Sequence, residues 1–166
     1  IIPRDRPLAA GLWGEMMSRQ AEFAVILKMN PMFADLGAEA IGRIAALCHT
    51  LQLGEGEVLF QKGDEGDAFY GIRRGQIRIE TGAADGTRLT LNFLGSGDLF
   101  GEVAVLDGEP RTADATAAAP SELFVLRRDD FLAFLEREPR VAIRLIGLLC
   151  QRIRWMSERM EESVLQ

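Results

Sequence analysis

Glu102 and Arg111 stand nine positions apart in the stretch FGEVAVLDGEPRT, residues 100–112, with mostly small or apolar residues between them. A guanidinium is a planar fork of donors that pairs with phosphate oxygens two at a time. Gly101 permits a close backbone approach. The N–H groups opening a helical turn over residues 102–106 would favour the same anion. A carboxylate repels an anion, so as part of such a site Glu102 makes sense if the ligand also offers hydroxyl donors along another edge. A ribose phosphate has both features. Spacing alone leaves a second assignment open, with Glu102 capping a short helix and Arg111 pairing with Glu109 or Asp114 on the surface.

Other chemistries find little support. His49 is the sole histidine, which excludes sites built from two or three imidazoles, and it has no nucleophile motif to partner it. Cys48 and Cys150 are too few for an iron–sulfur cluster and read as buried free thiols in apolar helical contexts. No metal, no cofactor and no catalytic constellation is expected, so the chain reads as a non-enzyme. Twenty-five acidic against 19 basic residues leave a net charge of −6, a field that repels nucleic acid. The longest apolar run, 141–150, is interrupted by Arg144 and stopped by Arg152 and Arg154, so no membrane span is expected. No signal peptide is visible, and a cytoplasmic location is expected.

The elements that must position Glu102 and Arg111 follow from periodicity. Residues 1–11, with Pro3 and Pro7, read as an extended lead, and 12–29 as a helix that Asn30-Pro31 ends. A further helical piece carries Ile41, Ile44, Ala45, Leu47 and Cys48 on one side. From residue 50 to 127 the texture is short alternating apolar runs punctuated by glycine. Asp85-Gly86 marks a hairpin, and seven or eight strands in a small barrel or sandwich are expected. Residues 128–138 read as a short helix and 139–166 as a long one. Ala142, Ile146, Leu149, Ile153, Met156 and Met160 recur on it at alternating four- and three-residue steps, a seam suited to a second copy of the chain. An Ile at position 1 and a helix still running at Gln166 lead us to expect a piece of a longer protein.

The stretch GDLFGEVAVLDGEPRTADATA resembles the phosphate-binding cassette of the cyclic nucleotide-binding domain family: Phe-Gly-Glu, a few apolar residues, then Arg and a small residue. The upstream GEVLFQKGDEGDAFYGIRRGQIRI is similar to that family's first barrel half. The likeness covers roughly residues 30–166. It implies a mainly β fold with helices: a β-roll (a double-stranded β-helix, jelly-roll-like) flanked by N-terminal helices and a long C-terminal helix. The implied divisions are a lead and helix at 1–30, the roll at 31–136, and the long helix at 137–166.

By this resemblance Glu102 accepts the ribose 2′-hydroxyl and Arg111 holds the cyclic phosphate, inside the Phe100-Gly101-Glu102 motif. Backbone groups around Gly101, Val103 and Thr112, with the Thr112 hydroxyl, complete the phosphate pocket, and Ile72, Leu89 and Leu91 flank the ring. The final segment resembles, within the family, the Crp/Fnr transcription regulators, whose long helix pairs two subunits and touches the base. Met156 and Ser157 fall near the base-contacting positions, with Trp155 close by. A homodimer through 139–166 is therefore expected, with DNA contacted only by a domain not present in these residues. A regulatory module of an ion channel, kinase or cyclase is the alternative output. Thr112 could accept from a guanine amino group, or could simply start a strand. One neutral hydrogen bond is worth on the order of 1 kcal/mol, too little to decide between them; the resemblance to the family's bacterial regulators, whose commoner ligand is cAMP, puts cAMP first with cGMP close behind.

Overall fold

The computed structural model describes residues 10–165. The extended lead expected at 1–11 falls, as far as residue 9, outside the described residues. Helix α1 spans Ala10–Met29 and α2 spans Ala38–Ala45. Phe23, Ile26 and Leu27, one helical stripe, are buried on α1. Asn30 ends that helix, its side-chain oxygen accepting from the Met32 N–H at 2.9 Å, ahead of a proline that offers no donor. On α2, Ala40, Ile41, Ile44 and Ala45 form the inward face.

Eight strands follow: β1 (His49–Leu53), β2 (Val58–Phe60), β3 (Ala68–Arg74), β4 (Gln76–Gly82), β5 (Arg88–Gly95), β6 (Leu99–Phe100), β7 (Asp114–Ala117) and β8 (Ser121–Arg127). They form two antiparallel four-stranded sheets, β1-β8-β3-β6 and β2-β7-β4-β5, the β-roll that the resemblance implies. Helix α3 (Glu102–Asp107) interrupts the strands between β6 and β7, while α4 (Arg128–Arg137) and α5 (Pro139–Leu165) complete the chain. The β4–β5 hairpin turns at Asp85-Gly86, where Gly86 takes φ 87° and the Asp85 carboxylate accepts from the Thr87 N–H and hydroxyl.

Side-chain alternation along β3 and β8 gives the first sheet two apolar faces and the molecule two cores. Phe69, Phe124 and Leu126 face the helices, with Phe23, Phe33 and Phe131 packed among them. Tyr70, Ile72 and Leu123 face the roll interior with Ile77, Ala115 and Ala117. Phe23 stacks on Phe124 at 5.2 Å, over Gly71, where a Cβ would already lie 3.1 Å from the Phe23 ring. Arg73 ties α1 to the roll, donating to Glu22 at 2.5 and 3.2 Å and to Glu122 at 3.0 Å.

Val141 and Leu145 bury the start of α5, and from Gln151 onward the described helix is exposed. Among the described residues no helix is long and apolar enough to cross a membrane. Both cysteines are free, but the expectation that both are buried is corrected: Cys150 is exposed and Cys48 half-buried. Cys150 lies off the α5 stripe that packs on the core, one position past the partly buried Leu149, which does pack there.

Candidate functional site

Strand β6 delivers Phe100 into the roll core, and Gly101 then turns the chain at φ 84° directly into α3. No side chain caps this helix at Gly101, so the opening N–H groups are left to the adjoining space. Helix α3 ends at Gly108, also left-handed at φ 72°, and the loop after it brings Arg111 back beneath Gly101. The loop after β2 straps the backbone of Arg111 on both sides: Gly63 N–H donates to its carbonyl at 2.9 Å, and its own N–H donates to the Asp64 carbonyl at 2.8 Å. Gly66 of the same loop lies so close to α3 that a Cβ would sit 2.4 Å from the Ala104 Cβ.

Arg111 is only 4% exposed. Its Nη1 donates to the Gly101 carbonyl at 3.0 Å and its Nη2 to the Ala68 carbonyl. The guanidinium carbon lies 4.2 Å from the centroid of the Phe60 ring and 5.7 Å from that of Tyr70. Its Nε is buried and has no hydrogen-bond partner among the described residues. No carboxylate comes within ion-pairing distance of it among those residues, and Asp114, one surface partner open to it from spacing, instead pairs with Arg88. A buried cation with spare donors and no counter-charge is costly unless something else supplies the charge. Burial, with Asp67 adding to it, raises the Tyr70 hydroxyl pKa, so this neighbour stays neutral near pH 7.

Arg111 and Glu102 line one cavity of about 260 Å³. Phe100, Gly101, Val103 and Thr112 line it as well, so six of the expected residues come together. Four do not. Ile72 is fully buried in the roll core and is not part of the wall. Leu89, opposite Thr81, shares the face of Ile79 but sits beyond the wall and is 58% exposed. Leu91 is the extra residue of a β-bulge between Ile79↔Asn92 and Glu80↔Thr90, and is 54% exposed. Ser157 stands on the exposed half of α5, away from the cavity wall, as do Met156 and Trp155.

Sequence reasoning missed Phe60 and Ile79, which supply the apolar floor, and Asp107 and Glu109, which add carboxylates. Alternation of Ile77 and Ile79 along β4 carried a signal for Ile79; nothing local pointed to Phe60. A larger groove of about 650 Å³, lined in part by Tyr70, shares no lining residue with this cavity; it interleaves His49, Arg127 and Arg128 with Glu65, Asp67 and Asp129 and so presents no single charge.

The family pattern described as a cyclic nucleotide-binding domain matches residues 50–138, over half of the chain, and so spans the whole cavity wall. The protein belongs to the cyclic nucleotide-binding domain family. Its curated relatives include a cyclic AMP receptor protein of Thermus thermophilus, 36% identical over 128 residues, 77% of this chain. The chain spans 59% of that relative's length. Among solved structures, the N-terminal domain of a transcriptional regulator from Streptomyces coelicolor aligns with a TM-score of 0.75 and 32% identity, covering 81% of this chain and 94% of that one. The catabolite activator protein of Thermus thermophilus aligns at TM-score 0.65 and 33% identity, over 81% of this chain and 63% of that one. This cyclic nucleotide-binding domain is thus homologous to the sensor portion of Crp-type regulators, and its β6–α3–β7 segment holds the Glu102–Arg111 cavity.

Proposed function

We propose that the chain is the sensor segment of a Crp/Fnr-type transcription regulator and that its cavity takes cAMP. The observation that carries this reading is the buried, uncompensated guanidinium of Arg111. A cyclic phosphate on its free edge supplies the missing charge and accepts from Nε. Glu102, on the same wall, accepts from the ribose 2′-hydroxyl. At about 260 Å³ the cavity falls just below the roughly 300–1,000 Å³ usual for small ligands. It therefore suits a sugar phosphate whose base projects past Thr112 toward the mouth. The likeness to a cyclic AMP receptor protein favours adenine. Thr112 at the rim still permits cGMP, at a difference of about five-fold for one neutral hydrogen bond.

Binding is read out through α5. Ile146, Ile153, Met156 and Met160 leave an exposed apolar seam on that helix, which a second copy covers to give a parallel dimer. Ser157 and Met156 then reach the base only in the assembled dimer. DNA contact belongs to a part of the regulator outside these residues, in keeping with the net charge of −6 here. The segment itself binds and signals without catalysing a reaction, in the cytoplasm.

Titration calorimetry with cAMP, cGMP and 5′-AMP tests the reading. One cyclic nucleotide per chain is expected, with 5′-AMP at least about tenfold weaker because its phosphate is not tied back to the sugar. Absence of heat from both cyclic nucleotides up to about millimolar concentration would overturn it.

A further inference from the structure

We propose that Arg128, which is not among the residues lining the nucleotide cavity, is the positioning residue that fastens helix α3 to α4 and so carries cavity occupancy toward α5. The inference rests on the reading of the cavity given above.

Helix α3 is six residues long, too short to persist without help from outside itself. Its last carbonyls have no partners within the helix. One is met by the chain: Gly108, left-handed at φ 72°, donates its N–H to the Ala104 carbonyl at 3.0 Å. The next is met from outside, by Arg128 Nε donating to the Val105 carbonyl at 2.8 Å. The guanidinium also lies against Gly108, where a Cβ would come 3.2 Å from Nη2. A cation is thus held at the negative end of α3. Among the described residues it makes the only side-chain hydrogen bond between α3 and α4.

Arg128 is also the first residue of α4, and its own N–H donates to the Asp67 carbonyl at 2.8 Å. Asp67 closes the loop whose Gly63 and Asp64 strap Arg111 and whose Gly66 abuts Ala104. Both halves of the cavity, the α3 side and the Arg111 side, are therefore fastened to one residue at the head of α4. The other end of α4 meets α5 at Glu138, which the Arg43 side chain holds through donors at 2.9 and 2.5 Å. A ligand that tightens α3 against Arg111 acts on α4 through Arg128, and loosening at Arg128 weakens the ligand in return, as linkage requires.

The test compares the 166-residue chain with Arg128→Gln, Arg128→Lys and, as a control, Arg127→Gln at the exposed neighbouring position. Amide hydrogen exchange over residues 105–109 and cAMP affinity are measured in each. Arg128→Gln is expected to speed exchange in that segment and to weaken cAMP by about tenfold, the scale of one lost hydrogen bond to a charged group. Arg128→Lys, which keeps a cationic donor, recovers part of both, and Arg127→Gln changes neither. Unchanged exchange overturns the proposal, and so does faster exchange with cAMP affinity within about two-fold of wild type. A wild-type chain that bound no cyclic nucleotide would defeat the reading of the cavity, while exchange over 105–109 would still report whether Arg128 holds α3.

Discussion

Gly101 and Arg111 fix one another. The Gly101 carbonyl accepts from Arg111 Nη1 at 3.0 Å, and a methyl group placed on Gly101 would come 2.7 Å from that same nitrogen. Gly101 also sits at φ 84°, a backbone region that costs other residues about 1–2 kcal/mol. Gly101→Ala should therefore lower unfolding free energy by at least that amount in urea denaturation and push the guanidinium off its seat. A variant with unchanged stability and unchanged cAMP affinity would contradict the placement of Arg111.

Glu102 faces a sugar hydroxyl in this account, and a double-mutant cycle isolates that contact. Wild type should prefer cAMP over 2′-deoxy-cAMP by about tenfold or more, the scale of a hydrogen bond to a charged acceptor. Glu102→Gln should bind cAMP more weakly and lose most of the preference. An equal preference in both proteins would mean that Glu102 serves α3 and not the ligand.

Acid lability should trace to the outer face of the second sheet. The Arg88 hydrogen bond, ahead of the nearby charges, lowers the Glu80 pKa from its ordinary 4.5. Asp114 is lowered from 3.8, first by the Lys62 N–H and then by Arg88. Carboxylates with depressed folded-state pKa values stabilise the fold above their ordinary values, and that contribution disappears as pH falls through the depressed ones. The melting temperature should hold above about pH 5 and drop toward about pH 3. Arg88→Met should melt lower at neutral pH and lose less on acidification. A drop of equal size in both proteins would assign the lability elsewhere.

The two thiols should separate cleanly. Burial pushes the Cys48 thiol up to about 11, leaving almost no thiolate at neutral pH, whereas Cys150 is exposed on α5. Mass spectrometry after brief alkylation at neutral pH should find label on Cys150 alone. Where a second copy covers α5, that labelling should slow with rising protein concentration. Early label on Cys48 would contradict its packing beside α2.

Glu102 and Arg111 could be paired from the sequence because their geometry is local: one glycine turn, six helical residues and a short return loop join them. The hairpin at Gly86 and the switch from period two to helical spacing at residue 128 were legible for the same reason. The apolar floor was not. Alternation along β3 and β4 assigns two faces to each strand without saying which core each faces, so Ile72 was expected at the ligand and Ile79 was not. The bulge at Leu91 adds one residue to β5 and breaks the period two count on which its assignment relied. Phe60 reaches Arg111 from 51 positions away, a contact set by the closure of the roll and carried by no motif.

A crystal structure of the chain with cAMP decides whether Arg111 is kept buried and uncompensated for a ligand's phosphate. The cyclic phosphate should lie within hydrogen-bond reach of Arg111 Nε, the ribose 2′-hydroxyl on the Glu102 carboxylate, and the base outside the Phe60–Ile79 floor. A nucleotide bound elsewhere, or one bound in this cavity with its phosphate turned away from the guanidinium, would contradict it.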